Sequence, residues 1–461
     1  MKVRSWLSTC SSTTCIATSG GGGATTPSTK PFHSDTSSDI QFLSSPSSQD
    51  TSSSSLQSNL SLLTLPSVPS LQKLSPENLN LSVATHFLTT LKHRRPVHIN
   101  FMAVNDNLLY AASGNEVNVF EIINNTLIDT FSGDNISSGA VKSVAFCDGK
   151  IFTAHQDCKI RVWKLTIHKK HKFITILPTL EDRFRKFILP QNYVKVRRHK
   201  KKLWIEHHDA VSGLAVYENS VSSISWDKSL KIWRGTDFRC TESITAHDDS
   251  INAVIVSNDG IIYTGSADKR IKVWGTAKVQ EKKEKKIHLI ATLEKHKSAV
   301  NALALNSARN ILFSGACDRS ILVWEREESA NYMVVTGALR GHSRAILCLI
   351  SVNDFLFSGS ADQTLRIWQR RVDGLYCCLA VLDGHQKPVR SLAAAEGGDS
   401  GGGVKVFSGS FDGEIKFDNS GGVGSARGDS SSFGDSTEAG SEWMTQTRAW
   451  YHQKGMLEDV E

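Results

Sequence analysis

The sequence contains no run of about 18 apolar residues, the length a helix needs to cross a bilayer, so no transmembrane helix is expected in its 461 residues. The opening stretch, MKVRSWLSTCSSTTCIATSG, has no continuous apolar core of the secretory kind, which predicts a chain that is not secreted. It is rich in Ser and Thr and has no acidic residue before Asp35, so an organelle transit peptide stands as the alternative to a plain tail. The nine cysteines form no metal or disulfide framework. Cys10 and Cys15 fall in the opening stretch, and Cys377 and Cys378 are adjacent, which is poor geometry for sharing one zinc. Small buried thiols in a reducing compartment account for this usage. Also missing are a GxxxxGKS phosphate loop, a GxSxG nucleophile elbow and the motif set of protein kinases. The glycine runs near Gly21 and Gly401 lack a strand-to-helix context and read as flexible loops. Nothing here calls for a cofactor or a metal.

What is present changes along the chain. Residues 1–80 are dominated by Ser, Thr, Gly and Pro, cannot bury enough apolar surface to offset the entropy of ordering, and are expected to be disordered. They hold Thr26-Pro27, Ser45-Pro46 and Ser75-Pro76, pairs of the type kinases modify. From about residue 83 short alternating strands with turn residues between them recur every forty residues or so, and a repeat of that length defines the folded region, residues 81–418. After it comes NSGGVGSARGDSSS, and residues 419–461 show no strand period and read as a second disordered tail.

The repeat has a signature. IRVW ends at Trp163, LKIW at Trp233, IKVW at Trp274, ILVW at Trp324 and LRIW at Trp368. Six positions before each lies an Asp: Asp157, Asp227, Asp268, Asp318 and Asp362. SISWD, TGSAD, SGACD and SGSAD lead into the last four, and upstream of these stand His207, His247, His296 and His342, each followed four positions later by Val or Ile.

This pattern resembles that of WD40 repeats. The phrases NYVKVRR, HDAVSGLAV and ESITAHDDSINAV, with the order of the units, are similar to the plant WD40 family named after JINGUBANG, over roughly residues 83–417. Two degenerate units complete the count. The first has His93 and Val97 in place but Gly114 at the Asp position and Phe120 at the Trp position; the last has His385, Val389, Ser408 and Asp412 but Asp418 where Trp belongs. The second unit keeps Thr153, Asp157 and Trp163 but has Ser137 where His is expected. The resemblance thus implies an all-β fold, a seven-bladed WD40 β-propeller, with residues 83–91 supplying the outer strand of the closing blade. It also implies a buried hydrogen-bond chain in four blades: His207, Ser223, Asp227, Trp233; His247, Thr264, Asp268, Trp274; His296, Ser314, Asp318, Trp324; and His342, Ser358, Asp362, Trp368. A His, Ser and Asp repeated in every blade argues for structure and against a hydrolase triad, since an enzyme needs one such site.

The most individual feature is the long gap between Trp163 and His207. ITILPTL is expected to be an outer strand and residues 181–202 an insertion on the face of the His and Asp turns; taking LWIEH as the outer strand would move it to the opposite face. Its cluster Lys195, Arg197, Arg198, Lys200, Lys201 and Lys202 reads as a nuclear import signal, a binding patch for an acidic partner or a solvated loop. A propeller without catalytic residues predicts a monomeric scaffold or adaptor for protein partners, in a regulatory pathway of the cytoplasm or nucleus of a plant cell. The alternative is a substrate receptor of a cullin-type ubiquitin ligase. For that class Trp368 is followed by Gln369, Arg370 and Arg371, so the expected Arg is present and the expected Asp is not. No membrane partner is expected, and the basic insertion lacks the interleaved aromatics that nucleic-acid binding favours.

Overall fold

The computed structural model describes residues 68–71, 85–92, 98–132, 138–197, 200–278, 285–306, 308, 310–327, 332–396 and 404–420. His93, Val97, Ser137 and Arg198 lie outside these, as do most of residues 1–80 and residues 421–461. Seven four-stranded antiparallel sheets form the blades of a propeller, and one two-stranded hairpin lies apart from them. The first strands, in blades 1 to 7, are Ile99–Asn105, Val141–Cys147, Val211–Tyr217, Ile251–Val256, Val300–Asn306, Ile346–Val352 and Val389–Glu396. The inner strands of the blades bury consecutive residues, as in Ile311–Ala316 and Phe355–Ser360, so a lone sheet would leave apolar side chains in water on both faces. The ring solves this by stacking. Hydrophobic clusters sit at all seven blade boundaries, such as Tyr110, Phe131, Val141 and Trp163 between blades 1 and 2, and Ile99, Met102, Phe407 and Ile415 where blade 7 meets blade 1.

Ring closure mixes the chain ends. Strand Thr85–Lys92 pairs antiparallel with Glu414–Ser420, giving blade 7 its outer strand. The third strand of that blade runs on through Asp418 to Ser420. Asp418 lies opposite Val406, two positions from Ser408, the register Trp163 has opposite Ile151 relative to Thr153. Asp418 therefore holds a tryptophan position in the ladder.

Each first strand carries a register shift against its neighbour at one place, and the residue left unpaired there is Asn100, Lys142, Ser212, Asn252, Asn301, Leu347 or Arg390. A bulge turns that side chain out of the sheet. Here the bulges stitch blade to blade: Ser212 Oγ donates to the Ile251 carbonyl (2.6 Å), Asn252 Nδ2 to Val300 (3.0 Å) and Asn301 Nδ2 to Ile346 (2.9 Å).

One short piece of the stretch expected to be disordered is ordered on the propeller. Ser70 bridges in parallel to Ala338 of the edge strand Met333–Leu339. The Leu71 N–H donates to the Ala338 carbonyl (3.2 Å), the Ala338 N–H to Pro69 (3.0 Å) and the Tyr376 N–H to Leu71 (3.0 Å). Val68 is buried among the residues between blades 4 and 5, and Leu71 packs on the cluster between blades 5 and 6. The exception has a plain cause: an outer edge strand offers unpaired amides and carbonyls, and VPSL, residues 68–71, supplies both the backbone and the apolar side chains to cover them.

Candidate functional site

In blade 3, His207 Nδ1 lies 3.0 Å from Asp227 Oδ2 and Nε2 lies 2.8 Å from Ser223 Oγ, while the Trp233 indole donates to the same Oγ at 2.8 Å. Blades 4, 5 and 6 repeat this. His247 joins Asp268 (2.8 Å) and Thr264 (2.8 Å), with Trp274 donating to Thr264 at 2.9 Å. His296 joins Asp318 (2.9 Å) and Ser314 (2.7 Å), with Trp324 at 2.8 Å. His342 joins Asp362 (2.9 Å) and Ser358 (2.8 Å), with Trp368 at 2.9 Å. Blade 7 has His385 with Asp412 (2.9 Å) and Ser408 (3.0 Å).

An indole only donates and a carboxylate only accepts. A neutral imidazole that donates from Nδ1 to Asp leaves Nε2 free to accept the proton of the hydroxyl that receives the indole N–H, which satisfies every member of the set. Burial pushes His207 and His385 below the ordinary imidazole value, in keeping with a neutral ring. Burial would raise the five carboxyls, but the imidazole and the backbone and hydroxyl donors of the turn outweigh it. Asp268 is held down to about 2, and Asp227, Asp318, Asp362 and Asp412 are also held below the usual range.

The connectivity is that of a hydrolase triad, and its setting makes it inert. Ser223, Thr264, Ser314 and Ser358 are 0% exposed, and the lone pair a nucleophile would use already holds an indole N–H. The same inertness extends to two thiols, that of the buried Cys240 and that of the half-buried Cys348, which desolvation pushes up to about 12.

Two blades depart from the set in ways the spacing did not reveal. In blade 2 the imidazole comes from His155, within the second strand, whose Nε2 lies 2.8 Å from the Thr153 hydroxyl that also receives the Trp163 indole at 3.0 Å. Asp157 is instead clasped by the two terminal nitrogens of Arg161 at 3.2 and 2.8 Å. In blade 1, Phe120 stands in the tryptophan position and Ala111 in the hydroxyl position. Donor and acceptor are both gone, so neither is left unsatisfied.

The insertion leaves the propeller on the face of the Asp turns, after the outer strand His171–Leu177. The strand thus ends before Pro178, earlier than the ITILPTL run suggested. Beyond it the chain forms a helix, Leu180–Phe187, then a 3-10 turn, Pro190–Asn192, and a hairpin of Tyr193–Arg197 with Lys200–Leu203. The helix has its own signals. Thr179 caps it by accepting from the Asp182 N–H (3.1 Å), Glu181 and Asp182 occupy the first turn, and Arg185 and Lys186 the last, all favourable to the helix dipole. Asp182 is buried and accepts the Cys240 N–H of the edge strand of blade 3 (3.2 Å), which fixes the helix against the rim. Of the basic cluster, Lys195, Arg197, Lys200, Lys201 and Lys202 share the hairpin. Lys195 and Lys201 are exposed, and Lys202 donates to the His207 carbonyl at 3.1 Å.

A second polar feature lies on the axis. A cavity of about 70 Å³ is lined by Asn100, Lys142, Ser212, Asn252 and Arg390 from the bulges and by Trp226 and Phe411. Burial, with the charge of Arg390 second, lowers Lys142 to about 8. Among the described residues no group of three or more His, Cys, Asp and Glu could hold a metal, and no helix is long and apolar enough to cross a membrane.

Fold and buried tetrads together define a WD40-repeat propeller. The family described as WD domain, G-beta repeat matches residues 238–275, 287–325, 333–369 and 376–417. Each match begins in or beside the outer strand of one blade and runs into the third strand of the next, so sequence repeat and blade are offset by one strand. The chain is also similar to a protein named Ribosome biogenesis protein WDR12 homolog from Chlamydomonas reinhardtii, 28% identical over 120 residues, which is 25% of this chain. The match spans 27% of that relative's length.

Proposed function

We propose that this protein is a non-catalytic scaffold that binds other proteins in a regulatory pathway, signalling or transcription-linked, in the cytoplasm or nucleus of a plant cell. The observation that carries this reading is the burial of every complete His–hydroxyl–Asp set in the blade interiors, which leaves a rigid disc whose distinctive surface is an apolar and basic insertion. The propeller acts as a monomer, and the likeness to the JINGUBANG family is consistent with the plant setting. The hairpin cluster serves partner binding or nuclear import. Affinity purification of the full chain, with and without residues 181–202, followed by mass spectrometry tests the proposal. A reproducible set of stoichiometric partners is expected, and none in either form would sink it.

Two further readings have a specific observation each. Likeness to the WDR12 homolog favours a part in ribosome biogenesis, and it requires ribosome assembly proteins among the captured partners. The run Trp368-Gln369-Arg370-Arg371 favours a ubiquitin-ligase receptor. Arg370, however, is engaged by Glu325 of blade 5 at 2.8 Å, and Arg371 lies 3.5 Å from Asp373, so both guanidiniums are occupied within the propeller.

A further inference from the structure

The insertion presents the largest group of exposed apolar side chains among the described residues. Leu180, Phe184 and Phe187, spaced to share one helical face, are 73%, 72% and 65% exposed, and Ile188 beside them is 79% exposed. A short helix that was only structural would turn this face inward. Instead Asp182 makes the attachment to blade 3, and the apolar face looks into a cleft of about 430 Å³. The opposite wall is the hairpin, with Tyr193, Lys201, Lys202 and Leu203.

Charge decides what fits. Residues 178–206 carry nine Lys and Arg against three Asp and Glu, which is +6 of the chain's +7. All three acids are spent locally: Glu181 on Arg185, Asp182 on the Cys240 amide and Glu206 on Arg183 at 2.8 Å. Among the described residues no carboxylate pairs with Lys186, Lys195, Lys201 or Lys202. The cleft is thus apolar at its base and net positive at its rim, where Glu206 and Arg183 neutralise each other and Lys201 and Lys202 have no carboxylate partner among the described residues. Nucleic acid fits it less well, because the two aromatic rings nearest the basic hairpin, Trp204 and Tyr193, are already engaged and the exposed Phe184 and Phe187 lie on the helix. Lys186 lies over the Trp204 ring at 5.3 Å, and Tyr193 packs edge-on to Phe187 and donates its hydroxyl to the Phe187 carbonyl. A bilayer surface prefers a convex apolar ridge to a walled cleft.

We propose that this cleft docks an acidic amphipathic segment of a partner protein, with Leu or aromatic anchors between Asp and Glu residues. The anchors fill the space between Phe184, Phe187 and Leu203, and the carboxylates meet Lys201, which lines the cleft, and the exposed Lys195 opposite it in the hairpin ladder. The proposal rests on the scaffold reading and names the chemistry of one partner.

Anisotropy titration of the full chain with a labelled synthetic peptide of about four helical turns, bearing Leu and Phe anchors on an Asp/Glu background, tests it. Two control peptides replace the anchors with Ala or the acids with Lys. Saturable binding of the first is expected, at least about tenfold tighter than either control and weakening with salt. Phe184→Ala with Phe187→Ala, and separately Lys195→Glu with Lys201→Glu, should each weaken it by about tenfold or more. These side chains are exposed, so the variants should keep the circular dichroism and melting temperature of the parent. Equal binding of the Ala-anchor peptide, or no binding at all, overturns the proposal. So does oligouridylate, or phosphatidylserine vesicles, binding more tightly than the peptide with the same variant sensitivity, and so does peptide binding that the variants leave unchanged. If the full chain captures partners from extract and the Phe184→Ala, Phe187→Ala form captures the same set, the cleft fails while the scaffold stands. Capture of nothing by either form removes the scaffold.

Discussion

Leu71 lies directly on the backbone of Gly337, so closely that a Cβ on that glycine would overlap the leucine's Cγ. The glycine is needed there for approach and not for its dihedral freedom, and it makes the rim of blade 5 a fitted seat for residues 68–71.

Gly337→Val should therefore unseat that segment. Leu71→Ala should cost about 1–2 kcal/mol, below the range for a fully buried leucine because Leu71 is only half-buried. Limited proteolysis provides the check: both variants should be cut faster between residue 60 and residue 80 than the parent. Unchanged cleavage would show that the seat holds nothing.

Thr153 is the hinge of the blade 2 chain, since its hydroxyl serves both His155 and Trp163. Thr153→Val should cost at least about 2 kcal/mol by leaving two buried groups without a partner. Trp163→Phe should cost less in that background than in the parent, with a coupling of about 1–2 kcal/mol, because the pair then approaches the Phe120–Ala111 arrangement of blade 1. Denaturant titration of the four proteins gives the cycle, and strict additivity would refute the shared hydroxyl.

Stability should fall steeply on mild acidification. Burial first, and the charge of Arg161 second, lower His155 from 6.5 to about 3. The unfolded chain takes up a proton near pH 6.5 that the folded blade refuses, so stability is full above that pH and is lost as pH falls toward about 3, by about 1.4 kcal/mol per pH unit per group. His207 and His385 act in the same direction. The depressed Asp carboxyls add a second loss below their ordinary value of 3.8. His155→Gln should flatten the slope between pH 6 and pH 4.5, and an unchanged slope would place the proton elsewhere.

Asp418→Trp should raise the melting temperature. Ser408, Asp412 and His385 are already linked, and the register leaves an indole the same path to Ser408 that Trp368 has to Ser358. The gain should appear as about 2–4 °C per kcal/mol. A neutral or lowered melting point would mean that the site is not a tryptophan pocket.

The ring was legible in the sequence because Trp and Asp six residues apart report one tight turn and one buried ring in each of five blades, and four hydrogen-bonded sets lie where those residues do. What escaped had local signals weaker than the repeat. His155 sits on the second strand, where no pattern requires a histidine, and only its distance to Thr153 shows that it replaces the upstream one. The helix Leu180–Phe187 was masked by the strand-like run before it and the basic run after it, although Thr179 with acids in the first turn and bases in the last is a readable start and stop. Residues 68–71 are four positions within a Ser-rich stretch, and composition averaged over eighty residues conceals them.

Seats for the earliest described residues are built from the latest. Residues 68–71 need Ala338 and Tyr376, and Thr85–Lys92 needs Glu414–Ser420. During synthesis these N-terminal pieces emerge some 250 to 330 residues ahead of their partners, roughly ten seconds to a minute at ordinary elongation rates. Over that interval blades 2 to 4 can pack on one another, but the ring stays open at both edges. Completion is a single late event that depends on release of the last strand, so a ribosome stalled before residue 414 carries a chain with two unpaired sheet edges, the kind of intermediate that chaperones hold.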